Sequence, residues 1–345
     1  RADLWHVAGP ALAGPALPAP AAPHARRTDR TTASVVLQKS RNTADGLALM
    51  EDLFIDAVAL SLREALGITV FTRRQTPGLP NSIAVTVQAM AAGPGERFLR
   101  VRAEDGATGQ VLWSGRSMAL PTDPTPEATA LTLFANQVVE VLGDALSLEL
   151  GGAGDLNAMV LQRLAVRKIW TLDPLRLAEA ETLLTLADEI RPQGLTLARR
   201  GQLRVLQMVE RHGSDAQTLR DEARALCGKA MEREPNNSMV LAVLSYVRCA
   251  IDDSPLAGAE LAQRSVRLNP GNPLAWDSLS YAHLHAGRIE EAHRIAMKVQ
   301  TMGDAQTMEL PPKGLRPGIS GKPPKLARLP NFAAQVAARR SQPGA

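Results

Sequence analysis

The sequence predicts an α+β protein in which a small α/β domain, over residues 34–150, precedes an all-α domain of helical hairpins, over residues 155–305. In the first region, short β-branched runs surround a long helical segment, whereas the second region follows the 3.6-residue period of amphipathic helices almost throughout. The composition agrees, since 45% of the residues are hydrophobic but only 3% are aromatic. Small and aliphatic side chains of this kind favour closely packed helices.

The α/β domain is expected to begin with a strand, a helix and a second strand. β-branched residues predict strands over 34–37 and 68–72, and the helical period between them covers 47–66 and ends before Gly67. Two strands joined through a helix usually form a parallel pair with a right-handed crossover. The sequence therefore predicts a parallel pair at the start of the sheet.

Three further strands should follow as hairpins. They are expected over residues 83–89, 97–103 and 110–118. The glycine-rich segments between them favour tight turns, because glycine adopts the positive φ that such turns require. In the middle strand Leu99 and Val101 alternate with Arg100 and Arg102, which predicts one face against the core and one face in water.

A helix should close this domain and a glycine-rich segment should follow it. The apolar period predicts the helix over 126–148, with Thr122 or Thr125 as its cap. Glycines at positions 151, 152 and 154 predict a boundary, because three glycines in four residues disfavour a continuous helix.

The all-α domain contains a repeated turn. The residues Glu-Pro-Asn-Asn at 234–237 recur as Asn-Pro-Gly-Asn at 269–272, and each follows an amphipathic helix rich in alanine and leucine. One helical hairpin cannot bury its own apolar face, so at least three stacked hairpins are expected. Residues 177–190 and 195–209 should form one of the earlier hairpins.

The second of these turns opens the clearest unit. Its landmark residues are Trp276, Leu279, Gly287, Ala292 and Ala296. At these intervals the segment 273–303 resembles a tetratricopeptide (TPR) repeat, and we expect the whole domain to be TPR-like. Small residues let the two helices approach closely, glycine supplies the turn, and Trp276 should fill the wedge towards the next helix.

The α/β domain gives a second resemblance. Ala-Asp-Gly-Leu at 44–47 precedes a helix, and Asp-Gly-Ala-Thr-Gly-Gln-Val-Leu-Trp at 105–113 lies at a hairpin. These landmarks are similar to those of the amino-terminal domain of TolB, an α/β domain that precedes TPR repeats in many bacterial regulators. The segment 73–82 departs from that pattern, because it is short and rich in proline where a helix would normally stand.

The two resemblances together imply a regulatory role. In such regulators the module follows a DNA-binding domain of winged-helix or SARP type, or a class III nucleotide cyclase domain. We therefore expect a non-enzymatic regulatory half of a bacterial transcriptional regulator, which binds a protein partner and reaches DNA only through an upstream domain. The alternatives are the regulatory half of a class III adenylate cyclase and a free-standing TPR adaptor.

One stripe on the best repeat is the candidate partner-binding site. Asp277, Tyr281 and His285 recur every four residues and so share one face of the first helix. In similar repeats this face lines a concave groove that holds an extended segment or a helix. An ordinary solvated helix surface is the alternative interpretation.

No catalytic, metal or cofactor site is predicted. His283 and His285 are two residues apart on a helix and point in nearly opposite directions, so they cannot share a metal ion. The acids Glu51, Asp52 and Asp56 crowd a helix start, where negative charge complements the helix dipole. No glycine-rich turn has the spacing of a nucleotide-binding loop.

The two ends of the chain carry the excess positive charge. Residues 311–345 contain seven basic residues and no acidic one, so the central part must be acidic although the whole chain has a formal charge of +4. We predict a Pro/Ala-rich linker over 1–33 and a basic disordered tail over 306–345. Because Arg1 is not a methionine, a further segment is expected upstream.

The expected compartment is the cytoplasm. No uninterrupted apolar stretch is long enough for a membrane span. Cys227 and Cys249 are the only cysteines and lie within helical patterns, which predicts buried thiols and fits a reducing compartment. The oligomeric state is not predicted by any of these features.

Overall fold

A computed structural model of the protein describes residues 34–40, 47–72, 82–93, 96–117, 120, 129–149, 154–171, 173–210, 215–252 and 254–304. Several predicted features lie outside these residues. They are the linker over 1–33, the proline-rich segment over 73–81, the caps Thr122 and Thr125, the glycines 151 and 152, and the basic tail over 306–345.

The α/β part contains five strands and two helices. They are β1 (Ser34–Lys39), α1 (Ala48–Leu66), β2 (Thr69–Thr72), β3 (Ser82–Gly93), β4 (Glu96–Asp105), β5 (Val111–Arg116) and α2 (Thr129–Glu149). The strand order is β2-β1-β3-β4-β5. β1 pairs in parallel with both β2 and β3, and the pairs β3–β4 and β4–β5 are antiparallel. The predicted parallel pair and hairpins are confirmed.

One face of this sheet packs against a helical layer. In β4, Leu99 and Val101 are fully buried whereas Arg100 and Arg102 are exposed, as the alternation predicts. Helix α1 contacts β1, β2 and β3, and it also packs against α2. The two helices are joined in the core by Phe54 and Phe134, whose ring centroids lie 5.2 Å apart.

The ends of α1 are determined by two different devices. At its carboxyl end Gly67 adopts a φ of 63°, and its N–H donates to the carbonyl of Arg63, which confirms the predicted stop. Near its amino end Glu51 is buried, and its carboxylate accepts a hydrogen bond of 2.7 Å from the backbone N–H of Ala89. Ala89 lies beyond the last residue of β3 that pairs with β1. The carboxylate of Glu51 therefore supplies the hydrogen-bond acceptor that a neighbouring strand would otherwise provide.

The helical part contains eight helices in the described residues. They are α3 (Gly154–Ile169), α4 (Pro174–Ile190), α5 (Gly194–Glu210), α6 (Ala216–Arg233), α7 (Ser238–Ile251), α8 (Pro255–Leu268), α9 (Pro273–His285) and α10 (Ile289–Asp304). The α+β class with a small mixed sheet and a following helical region is confirmed. Gly154, predicted to be part of the boundary segment, is instead the first residue of α3.

The helices pair as four successive hairpins, α3–α4, α5–α6, α7–α8 and α9–α10. The first helices α5, α7 and α9 also contact one another in order. The predicted helices at 177–190 and 195–209 exist, but they belong to different hairpins. Helices α4 and α5 contact one another, but each packs more extensively against another partner, α4 against α3 and α5 against α6.

The repeated turns place equivalent asparagines at two helix starts. The side chain of Asn237 accepts hydrogen bonds from the N–H groups of Met239 and Val240 at the start of α7. Asn272 accepts from Leu274 at the start of α9. The repeat is therefore built on N-capping, since a cap satisfies N–H groups that have no partner inside the helix.

Trp276 packs within its own hairpin. Its indole N–H donates to the carbonyl of Pro270 at 2.8 Å, and Lys298 of α10 lies 3.6 Å from the ring centroid. The ring is half-buried. The ring therefore faces α10, the helix that follows α9.

Close helix contacts explain the small residues of the array. A Cβ atom on Gly258 of α8 would lie only 2.2 Å from the sulfur of Cys249 on α7. Both cysteines are buried free thiols, as predicted. Burial raises the pKa of Cys227 and of Cys249 to about 12, so both are poor nucleophiles.

A cluster of charged side chains connects helices α4, α5 and α6. Glu181 of α4 accepts hydrogen bonds from Arg200 at 3.0 Å and Arg204 at 2.8 Å, and Arg204 also contacts Glu222 of α6. Burial alone would raise the pKa of Glu181, but Arg204 and then Arg200 outweigh it and lower that pKa. The carboxylate is therefore held in its charged form.

The sheet domain and the array meet at the repeated turns. The carboxylate of Glu64 on α1 is buried and accepts hydrogen bonds from the N–H of Ser238 at 2.9 Å, from its hydroxyl at 2.5 Å, and from Asn269 at 2.9 Å. The amide of Asn136 on α2 donates to the carbonyl of Gly271. We call this group of contacts the Glu64 junction.

Within the described residues, no helix combines the length and the apolarity that a bilayer span demands.

Candidate functional site

The predicted stripe lies on α9, whose start is fixed by the Asn272 cap and by Pro273 at its first position. Asp277, Tyr281 and His285 follow at intervals of one helical turn. Tyr281 is buried, and its ring centroid lies 4.3 Å from that of His285. His285 is exposed and Asp277 is half-buried. The three residues therefore share a face, but only His285 is exposed.

Tyr281 connects this stripe to the preceding hairpin. Its ring centroid lies 4.9 Å from that of Tyr246 on α7, in a tilted arrangement. Tyr246 was missed by the sequence reasoning, although a signal existed. It precedes Tyr281 by the same interval that separates Asn237 from Asn272, so the repeat itself marks it as the equivalent residue.

A small cavity lies between these aromatic rings and α5. Its lining comes from four hairpins and comprises Trp170, Gln202, Val243, Tyr246, Leu274, Asp277, Ser278 and Tyr281. The cavity volume is about 10 Å³. A space of this size holds a single group as large as a water molecule.

Asp277 is the acidic group of the cavity. Its Oδ1 atom is shielded from solvent and has no hydrogen-bond partner within the described residues. Burial raises the pKa of this carboxyl to about 7. Burial also raises the pKa of Tyr246 well above its usual range, with Tyr281 and Asp277 adding to the effect. The carboxyl thus lies in a poorly solvated and partly aromatic environment.

A buried arginine forms a hydrogen bond with one of the residues that line the cavity. Arg199 on α5 donates a hydrogen bond of 2.8 Å to the side-chain oxygen of Gln202, which itself lines the cavity. Burial lowers the pKa of Arg199 to about 10. Among the described residues no carboxylate forms an ion pair with it. Neither residue was predicted, because their burial depends on the stacking of α5 against neighbouring helices.

The three histidines of the described helices do not converge on a metal site. His283 is buried with Nδ1 3.1 Å from the carboxylate of Glu291 on α10, whereas His285 packs on Tyr281. In the parts of the chain that the structure describes, no group of three or more histidine, cysteine or acidic side chains could hold a metal ion. Glu51 and Asp52, two of the three acids noted at the start of α1, do not form a joint site, because Asp52 pairs with Lys39 at 2.5 Å.

Comparisons with protein-family models and with curated proteins give no match for this sequence. The resemblances to TPR repeats and to the TolB amino-terminal domain therefore stay predictions.

Proposed function

We propose that the chain is a non-enzymatic protein-interaction module whose helical hairpins bind a segment of a protein partner across the α9 face of Asp277, Tyr281 and His285. The observation that supports this most strongly is the ordered contact of the first helices α5, α7 and α9. This contact brings polar and aromatic groups of three hairpins into one site. Stacked repeats use such composite surfaces to bind extended segments or helices.

The side chains of this face suit a protein ligand. Tyr281 is fixed between Tyr246 and His285, so little conformational freedom remains to be lost on binding. His285 is exposed and can donate or accept hydrogen bonds. A rigid aromatic base beneath an accessible polar group is a favourable binding surface.

We also propose that the module serves a bacterial transcriptional regulator whose DNA contacts are made by another domain. The two resemblances support this role, and so does the Glu64 junction. Because Glu64 joins α1 directly to the turn before α7, a partner that moves the array can affect the sheet domain.

A pair of matched substitutions tests partner binding. His285 and His293 are both exposed, but His285 is on the proposed face and His293 is on α10. The purified wild-type chain should retain a specific protein from lysate, and His285→Glu should reduce that retention about ten-fold or more, whereas His293→Glu should not. The proposal fails if no protein is retained, or if the two variants retain it equally.

The regulatory role needs a separate measurement. Introducing His285→Glu into the chromosomal gene should alter a defined set of transcripts, with His293→Glu as the control. An unchanged transcript profile in the His285→Glu strain, despite lost partner binding, would contradict the assignment to transcription.

A further inference from the structure

The cavity beside α9 contains an acid that has no donor to satisfy it. Asp277 Oδ1 lacks a hydrogen-bond partner within the described residues and is shielded from solvent. A buried carboxylate oxygen without a donor is costly, and an ionised one costs more. A ligand that brings N–H donors and a positive charge would offset this cost. The cavity therefore favours a cationic hydrogen-bond donor.

We infer that this cavity binds the tip of a primary ammonium group, as presented by a lysine side chain of the partner. The inference rests on the proposed function only for the source of the ammonium, because the chemistry follows from the cavity itself. The ammonium would donate a hydrogen bond to Asp277 Oδ1, and its alkyl stem would extend towards the partner.

The size of the cavity selects among cations. Its volume of about 10 Å³ accommodates a group as large as water, and an ammonium tip is of that size. A planar guanidinium with five N–H groups is too wide. Divalent cations such as Ca²⁺ need about six or more oxygen ligands, and no group of three candidate ligands exists in the described part of the chain.

The walls of the cavity add a second source of attraction. The aromatic residues Trp170, Tyr246 and Tyr281 all belong to its lining. Aromatic faces attract cations, and the effect increases when water is excluded. Arg199 carries a positive charge nearby, but it does not line the cavity, and its guanidinium donates a hydrogen bond to the side-chain oxygen of Gln202. Both the acid and the rings thus favour an ammonium tip.

Small probes test this directly on the purified full chain. We would titrate n-butylammonium, the neutral isostere 1-butanol, n-butylguanidinium, and the capped peptide acetyl-Ala-Lys-Ala-amide, and follow the indole N–H resonance of Trp170 by NMR. Saturable shifts are expected with n-butylammonium and with the lysine peptide. The guanidinium and the alcohol should bind about ten-fold more weakly or not at all.

Two variants assign the effect to Asp277. Asp277→Asn keeps the shape of the side chain but loses its charge, and should weaken ammonium binding about ten-fold or more. The matched control is Glu290→Gln, because Glu290 is exposed on α10. Tighter binding of the lysine peptide than of n-butylammonium identifies a protein lysine as the source, whereas equal binding identifies a free amine at the same site.

The inference is overturned if neither amine gives a saturable shift. It is also overturned if Asp277→Asn binds n-butylammonium as well as the wild type does and the wild type binds the neutral alcohol as well as n-butylammonium. These outcomes are separate from those of the pull-down. Ammonium binding without partner retention would reject the proposed function but keep the site, and retention without ammonium binding would do the reverse.

Discussion

Asparagine at position 277 should make the protein more stable than the wild type at alkaline pH. Burial raises the pKa of the Asp277 carboxyl from an ordinary value of 3.8 to about 7. Between these values the folded state binds more protons than the unfolded state, so the free energy of unfolding falls as pH rises. At about 1.36 kcal/mol for each pKa unit, the loss reaches up to about 4 kcal/mol above pH 7. Asparagine removes this penalty because it does not ionise.

The assay is unfolding by guanidinium chloride, monitored by tryptophan fluorescence at about pH 5 and about pH 8. The wild type should lose stability between these values, whereas Asp277→Asn should lose much less. Histidine side chains also change charge in this range. The wild type and Asp277→Asn are therefore compared again after His285→Gln has been introduced into each of them. Glu290→Gln, on the exposed side of α10, is the matched control and should follow the wild type.

Two results would refute this reasoning. A wild-type stability that is equal at both pH values would mean that Asp277 is solvated or already has a donor. An Asp277→Asn variant that is less stable than the wild type at alkaline pH would mean that the charged form makes favourable contacts in the folded protein.

Three further substitutions test the packing. Glu64→Gln should cost about 2–3 kcal/mol, because the buried donors around Glu64 lose a charged acceptor; unchanged hydrogen exchange at the start of α7 would contradict this. Gly258→Ala should cost about 1–3 kcal/mol in unfolding free energy, since its Cβ would lie 2.2 Å from the sulfur of Cys249. The control Gly228→Ala has nothing within 4 Å and should gain about 0.5–1 kcal/mol, so equal effects at the two glycines would reject the steric argument. Glu181→Gln should cost about 1–3 kcal/mol at neutral pH and progressively less as acid protonates the wild-type carboxylate, whose pKa is lowered; a cost independent of pH would be inconsistent with the ion cluster.

Local patterns predicted the α/β part well because its elements end at strong local signals. Gly67 ends α1 because it adopts the left-handed backbone conformation, and the alternation in β4 places Leu99 in the core and Arg100 in water. These features depend on a few neighbouring residues. They are encoded where they occur and need no knowledge of distant contacts.

The repeat period contains a signal for the site that the residue spacing along α9 alone does not. The interval between Asn237 and Asn272 identifies two equivalent N-caps, and the same interval separates Tyr246 from Tyr281. By contrast, the burial of Asp277 could not be predicted from α9 alone. It depends on rings and side chains of other hairpins, which the sequence places far away.

The Glu64 junction explains why a buried acid lies between the two parts of the chain. The start of α7 presents backbone N–H groups that have no partner inside the helix, and the sheet domain covers this end. An apolar side chain at position 64 would bury those groups unsatisfied, whereas a carboxylate accepts from Ser238 and complements the positive end of the helix dipole. The turn before α9 adds Asn269 to the same carboxylate. The turns that set the repeat period therefore also fix where the sheet domain docks, and this dependence on helix ends is why Glu64 carries no local sequence signal of its role.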